Sequence, residues 1–538
     1  MNSSHPSRHS HQLGQVAPKP LSDSLETGLL VMYIILFAAS LFPIWSVRYH
    51  PLPDLGNHMA AVSVWAHFND QAYDFHRYYD VRLGLNPYWG YYGPMRVLIP
   101  LVGIDIANRI VLSVYVLMLP LGMAWLGGRL GRSPWLALGA FPFLWTFSFN
   151  HGFIQTSLGL ALVPSAIAAF DWLCERPTTR HAMLAVLLGI TVYFCHIVPF
   201  LLYLGCAGAI GILHRDRSTS RLLWRATAWS GACCVAILVS VFGSGKGMGR
   251  SPDSYSFSWD MHPLDLFRHI YDWTWENCAG REAQFLALLL GLGWLALAVT
   301  AQYRRGHGLH DYRGAACVAV AVAGYVLLPK SVLTPVLSWG VKYRLAAWAL
   351  LFLWLLIPGP ITGWRRWLMT PVILAGGGFA VDTTLHWRAA NRPSDGFDDV
   401  AMTLPHGSRV LFITELLSDS SDRLEQPQNW AAFQAAYRGG YDPWLFDDFP
   451  IKFRVHYPAP LWRTMAFSWW AHARFYDYVV ALRKNGTRIF GEHLAQVELV
   501  KSSGDWDVWK LPGPRIDEPP PPQVTPEEGH DRWPARER

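Results

Sequence analysis

Pro51-Leu-Pro-Asp54-Leu-Gly-Asn57-His58 follows directly on an apolar run that extends from Gly28 to Val47. An acid and an imidazole four residues apart therefore stand just beyond the first candidate membrane span. Positions i and i+4 share one face of a helix, so Asp54 and His58 can address one site. A linker between spans does not need that chemistry, whereas a catalytic loop facing a lipid-linked substrate does.

The chain has 538 residues, 51% hydrophobic and 14% aromatic, with 16% charged. Soluble domains carry roughly 25% charge, and the deficit here lies between Leu29 and Leu385. Apolar stretches long enough to cross ~30 Å of hydrocarbon recur there. The expected spans are 28–47, 105–128, 133–149, 152–173, 181–195, 197–213, 222–242, 283–302, 314–328, 343–358 and 367–385. Arg129/Arg132, Arg176/Arg180, Arg215/Arg217/Arg221/Arg225, Arg304/Arg305/Arg313 and Arg365/Arg366 fall in every second connection. The positive-inside rule makes those connections cytoplasmic. The N-terminus is then inside, and an odd count of spans leaves the C-terminal part outside.

The net charge is only +6, and the arginines are scattered among short loops, which argues against nucleic acid as a partner. Six of the seven cysteines (all but Cys278) fall in or beside expected spans, with no CxxC pair or Cys/His zinc spacing. Neither a disulfide framework nor a structural zinc is indicated. A full-length apolar span follows the polar N-terminal residues with no small-residue cleavage motif, so a cleavable leader is not expected.

The pattern divides the chain into a disordered cytoplasmic tail (1–27), a transmembrane domain (28–387), an extracytoplasmic α/β domain (388–513) and a disordered Pro-rich tail (514–538). The first outer loop, 48–104, is rich in Tyr88, Trp89, Tyr91 and Tyr92 and carries two helical stretches. In Asp54 to Phe68, Met59, Val62, Trp65 and Ala66 share one side. Leu98 to Ile104 is too short to span. Both read as amphipathic helices lying on the outer membrane surface. In the C-terminal part, Arg409–Thr414, Tyr478–Leu482, Val497–Val500 and Asp505–Lys510 read as strands, and Pro460 to Tyr476 as a helix. The fold class is thus an α-helical polytopic membrane protein of about eleven transmembrane helices, with surface helices in its first outer loop and a small α/β domain.

This layout resembles the GT-C superfamily of integral membrane glycosyltransferases, above all bacterial members of the dolichyl-phosphate-mannose and aminoarabinose-transferase types. The motifs that carry the likeness are Asp54 with its neighbours, the Lys342-Tyr-Arg344-Leu entry to the tenth span, Tyr476-Asp-Tyr-Val-Val480 and the closing strand Trp506–Leu511. Many members have two adjacent acids in the first loop; here Leu55 follows Asp54, and the next acids are Asp70, Asp74 and Asp80. The resemblance implies a bacterial inner-membrane enzyme moving a sugar from a polyprenyl phosphate to an extracytoplasmic glycan, lipid or protein. It leaves open a divalent metal, with Asp54 and His58 as its only candidate ligands.

Departure of a phosphate needs no general acid, so one base and one cation suffice. Asp54 is the candidate base; its ordinary alternative is to cap the helix that starts at Leu55. His58 can orient Asp54, meet a metal or contact phosphate, or be a plain surface partner of the acid. Lys342 and Arg344 can hold the lipid phosphate or merely snorkel to the interface. Asn150, His151, Gln155 and His196, at outer ends of spans, can complete a polar pocket or simply bond helix carbonyls.

Gly243-Ser-Gly-Lys246-Gly-Met-Gly-Arg250 lacks the spacing and context of a nucleotide phosphate loop. Asp447-Asp448 and His456 read as solvated charges or acceptor contacts, and Asn485-Gly-Thr487 as a chance glycosylation match. Two other classes stay open: a transporter or flippase for lipid-linked glycans, which inverted repeats and midplane breaks would mark, and an inactive scaffold in envelope assembly.

Overall fold

A computed structural model describes residues 23–84, 86–214, 218–242, 256–259, 263–275, 281–301, 312–334, 340–414, 427–447, 449–460, 467–482, 486–513 and 516. The Lys246–Arg250 run, Cys278, Asp448, Asn485 and nearly all of both tails lie outside these residues.

The first helix, α1 (Asp23–Ser46), is followed by α2 (Leu55–Ala66), the single turn α3 (Phe75–Tyr78) and strand β1 (Tyr79–Val81). The bundle continues with α4 (Trp89–Arg129), α5 (Phe147–Asn150), α6 (Ile154–Glu175), α7 (Thr179–Cys195), α8 (Ile197–Leu213) and α9 (Thr219–Phe242). Strand β2 (Ser256–Ser258) and the short α10 (Pro263–Arg268) and α11 (Ile270–Trp275) precede α12 (Arg281–Val299) and α13 (Arg313–Leu327). Strand β3 (Ser331–Thr334), α14 (Ala346–Leu351) and α15 (Thr370–Ala390) complete the bundle.

Each expected span overlaps helical backbone among the described residues, though 133–149 is largely 3-10 helix over Pro134–Leu144 and 343–358 is half 3-10 helix over Tyr343–Leu345 and Phe352–Leu356. Among the described residues five helical stretches are long and apolar enough to cross a membrane: Thr27–Ser46, Trp89–Arg129, Ile154–Glu175, Arg281–Val299 and Gly363–Ala390. The chain is a helical, multi-pass membrane protein.

One end of the bundle is knotted by charge. Asp171, wholly buried on α6, meets Arg129 Nε at 3.2 Å, His214 Nε2 at 3.1 Å and Arg313 Nη1 at 2.5 Å. Glu175 adds Arg129 Nη2 at 2.6 Å and Arg313 at 3.5 Å. The residues come from the ends of α4, α6 and α8 and the start of α13, so these four termini share one side of the bundle. Arg129 and Arg313 belong to connections that the arginine pattern groups together.

The C-terminal part forms a four-stranded sheet in the order β4-β6-β8-β7, from β4 (Val410–Thr414), β6 (Tyr478–Leu482), β7 (Glu498–Ser503) and β8 (Trp506–Lys510). β4 and β6 run parallel and the other neighbours antiparallel. All four strands overlap the runs read from sequence. The expected helix Pro460–Tyr476 appears only as the short turn Trp469–His472; residues 461–466 lie outside the described set.

One expectation is corrected. Helix α2 is not an amphipathic helix with one open face: every residue from Pro51 to Val64 is buried within the protein except Asp54 and His58, which are partly exposed. Its cover is supplied by α17 (Pro427–Arg438), which follows α16 (Phe397–Thr403). Small residues on both helices, Ala60, Ala61 and Ser63 against Ala432, Ala435 and Ala436, are buried, and Ser63 Oγ donates to the Ala436 carbonyl at 2.7 Å. Such residues add little to an apolar stripe but permit close helix approach, so the pattern reading missed this face. β1 pairs antiparallel with β5 (Ile451–Phe453), a second tie between the segment after α1 and the C-terminal part.

The charge knot makes a direct prediction. Asp171→Ala leaves two buried basic side chains, His214 and Arg313, and the part-buried Arg129 without their common acid and should cost ~3–5 kcal/mol. Glu175→Gln, at a half-exposed acid, should cost under ~1 kcal/mol. Thermal unfolding of the detergent-solubilised protein, followed by fluorescence, would measure both.

Candidate functional site

Asp54 precedes α2 without capping it. Its backbone is αR (φ −93°, ψ −12°), and its side chain makes no capping hydrogen bond. The ordinary explanation for an Asp at this position is therefore absent. Burial pushes its carboxyl up to about 7, against the opposing pull of the Arg344 guanidinium.

One turn on, His58 Nδ1 lies 2.8 Å from the Tyr92 hydroxyl and 3.3 Å from Gln155 Nε2. An amide nitrogen only donates, so Nδ1 is assigned as acceptor and the ring proton as sitting on Nε2. Burial drives the imidazole down to about 3, so it is neutral at ordinary pH. His58 is thereby a poor proton acceptor and Asp54 a suitable one, since general bases work best near the operating pH.

The entry to α6 joins these residues to the cation. Gly152 has φ +89°, and a Cβ there would stand 2.6 Å from Asp54 N and 3.0 Å from Asp54 Cβ. Phe153 lies under the Arg344 guanidinium, 3.8 Å from Cζ to ring centroid. Gln155 reaches His58, and Thr156 Oγ1 accepts from Arg344 Nη1 at 2.8 Å. Residues 152–156 thus touch Asp54, His58 and Arg344 together. The α6 N-terminus also brings its partial positive charge to this point, which favours an anion.

Arg344 is buried in the 3-10 turn Tyr343–Leu345, immediately after the buried Lys342. The turn is anchored by the segments that flank α12 and α13. Tyr343 stacks on Trp273 of α11 at 3.6 Å. β2 pairs with β3, and Val341 N donates to the Lys330 carbonyl at 2.8 Å.

His196 begins α8 and its Nδ1 accepts from Val198 N at 3.1 Å, which leaves the ring proton on Nε2. That Nε2 lies 3.3 Å from Arg344 Nη1. Two N–H donors then point into one space, a clash that an anionic oxygen between them would relieve.

The other expected pocket residues divide. His151 packs between Phe147 and Phe153, at 5.1 and 4.8 Å. Asn150 Nδ2 donates to the Trp145 carbonyl at 3.1 Å, the ordinary helix-end bond. Asp447 Oδ1 accepts from Phe453 N at 2.9 Å and pairs with Lys452, a loop role. His456 rests on Phe453.

Sequence reasoning missed Gly152, Thr156, Phe153, Tyr92 and Phe446, whose ring covers His58 edge-on at 5.6 Å. Only Gly152 had a signal, a glycine after Asn-His at a helix start. Asn57 Oδ1 and Ser157 Oγ are buried with no protein partner among the described residues, and such groups mark places where a ligand can be met.

The donor set does not by itself form a metal centre. Among the described residues no three His, Cys, Asp or Glu side chains gather in a way that could hold an ion. His58 has one ring nitrogen engaged by Tyr92 and the other protonated. Asp54 alone remains, and no step below is routed through a metal.

No protein-family model matches the sequence, and no curated protein matches it either. The architecture nevertheless has solved counterparts, and it shares its fold with two membrane glycosyltransferases. The apo aminoarabinose transferase ArnT from Cupriavidus metallidurans superposes with a TM-score of 0.50 at 13% identity, covering 91% of this chain and 99% of ArnT. The arabinofuranosyltransferase AftD from mycobacteria superposes with a TM-score of 0.50 at 14% identity, covering 93% of this chain. The chain spans 42% of the AftD structure.

Stability separates a cap from a site residue. Asp54→Ala should raise the unfolding free energy at pH 8, because a carboxyl that burial shifts up opposes folding when ionised, whereas loss of a capping Asp would lower it by ~1 kcal/mol. Gly152→Ala should cost ~1–3 kcal/mol from its left-handed backbone alone, with displacement of Asp54 in addition. Denaturation of the two variants beside wild type would read both.

Proposed function

We propose that this protein is a GT-C-type glycosyltransferase that moves a sugar from a polyprenyl-phosphate donor to an acceptor on the outer side of the membrane. The observation that carries this reading is the Asp54 carboxylate: partly exposed in an otherwise buried stretch, uncapping, shifted toward neutrality and beside Arg344. The shared fold with two glycosyltransferases supports the class.

In the reaction the Asp54 carboxylate takes the proton of the acceptor hydroxyl or amine. The acceptor heteroatom attacks the anomeric carbon of the donor sugar and forms the new glycosidic bond. The bond from that carbon to the phosphate oxygen breaks, and its electron pair leaves with the phosphate. Arg344, with His196 Nε2–H and the α6 N-terminus, meets that charge, and the buried Lys342 adds a second positive group nearby. His58, held by Tyr92 and Gln155, keeps the start of α2 in place. Asn150 and His151 shape the turn and need not touch substrate.

The proposed orientation puts the charge knot in the cytoplasm and the Asp54 end outside, with eleven spans in the inner membrane and the α/β domain extracytoplasmic. The termini of α6, α8 and α13 support this: their knot ends hold Asp171, His214 and Arg313, and their opposite ends lead to the site. A flippase would be expected to carry polar groups at the midplane. Here Asp54, His58, His196 and Arg344 gather at one end, which favours the transferase. Glycan, lipid and protein acceptors all fit the reaction, and the acceptor assay must sample each.

Transfer from a labelled polyprenyl-phosphate sugar in reconstituted membranes tests the proposal. Asp54→Asn should lower the rate by ~10²–10⁴-fold, the range lost with a general base, while the protein stays folded. Arg344→Gln should cost ~10²–10³-fold, as for a group stabilising developing charge. Only the ionised carboxylate accepts a proton, so the wild-type rate should climb with pH and level off above about 7. Undiminished transfer in Asp54→Asn would end the assignment.

A further inference from the structure

We infer that the chain holds a second amphiphile site, in which the phosphate of an anionic phospholipid seats on Arg96. Helix α4 breaks at Gly103 (φ 77°, ψ 165°), so its first part, 89–102, runs separately from the membrane-crossing remainder. Between this part, the end of α2 and α17 lies a cavity of about 280 Å³, walled by Arg96, His67, Tyr73, Ile99, Pro100 and Ala436.

Arg96 is half-buried, and among the described residues no hydrogen bond or ion pair to its guanidinium is formed; it stands over the Trp65 ring at 5.8 Å. His67 and Tyr73 stack at 4.2 Å and form a polar-edged wall. The neighbouring acids pair with groups other than Arg96, two of them, His67 and Tyr437, in the cavity wall. Asp70 pairs with His67 at 3.9 Å and accepts from Ala72 N at 3.0 Å. Asp105 is taken by Arg48 at 3.7 Å and by the Tyr437 hydroxyl. A half-desolvated guanidinium without an acid is an anion site.

The surroundings argue for a lipid source. Val97 and Leu101, one turn apart on the same helix, are 65% and 73% exposed, and Val102 is 40% exposed. A basic residue beside an exposed apolar stripe is how a helix rests in the headgroup layer. The cavity is at the lower edge of the ~300–1,000 Å³ of small-molecule pockets. It therefore admits a headgroup and leaves the acyl chains to lie on Val97 and Leu101.

This lipid is not a reactant. Asp54 stands at the start of α2 and the cavity at its end, about 18 Å away at 1.5 Å per residue over its 12 residues. The site serves instead to seat 89–102, α2 and α17 together at the interface. It stands or falls independently of the transfer reaction.

Native mass spectrometry of the full-length, delipidated protein titrated with phosphatidylglycerol tests the inference, with phosphatidylcholine and inorganic phosphate as comparison arms. One phosphatidylglycerol should be retained in preference to phosphatidylcholine. Arg96→Gln should weaken it about tenfold, the scale of one charge-assisted hydrogen bond, and Arg96→Lys should restore part of the loss. Ala66→Leu, at a further residue of the cavity wall, adds bulk there and keeps the charge, and should weaken it as well. Unchanged retention in Arg96→Gln would overturn the site. Displacement of the lipid by millimolar inorganic phosphate would overturn its lipid source.

Discussion

The geometry of this protein turns on one close approach, the backbone contact between Gly152 and Asp54. Any side chain at 152 would collide with the Asp54 amide, so only glycine lets the α6 entrance lie against the start of α2. From that contact the next few residues distribute themselves: Phe153 and Thr156 to Arg344, Gln155 to His58. A seven-residue stretch from Asn150 to Thr156 is thus the template on which a carboxylate and an imidazole from one part of the chain and a guanidinium from another are set. The carboxylate owes its poise to the same arrangement. Burial raises its affinity for a proton, and the guanidinium keeps the rise from going further.

A second constraint holds the first in place. Helix α2 is not a face of the bundle but a filling between α4 and α17, and its ends are tied by the β1–β5 pair and by the Tyr49 cluster with Phe397, Trp430 and Phe433. Phe446 and Phe449 then close over His58, Trp89 and Tyr92. The C-terminal part is therefore a structural member of the site and not an appendage to it.

Much of this was legible in the residues. The long apolar runs mark the helices because hydrocarbon admits little else, and the four β-branched runs mark the sheet because they alternate with turn residues. Asp54, His58 and Arg344 stood out because ionisable groups at the membrane edge are costly without a use. What escaped was pairing at long range. The packing of α17 on α2 depends on alanines and a serine, which score weakly in any hydrophobic pattern. The roles of Phe153 and Thr156 follow from the position of Arg344, nearly two hundred residues on, and no local signal reports that distance. The amphipathic reading of α2 fell short for the same reason: its apolar stripe was visible, but the helix that covers its other side was not.

The tie between the segment after α1 and the C-terminal elements has a consequence for how the protein is made. Chains emerge from the ribosome N-terminus first, so α2 is complete long before Pro427–Phe453 has been synthesised. Through that interval the loop carrying Asp54 lacks its cover and its strand partner. The reactive end therefore assumes its working shape as one of the last events of assembly, and a nascent chain halted before residue 427 would carry every candidate catalytic group and still be unfinished.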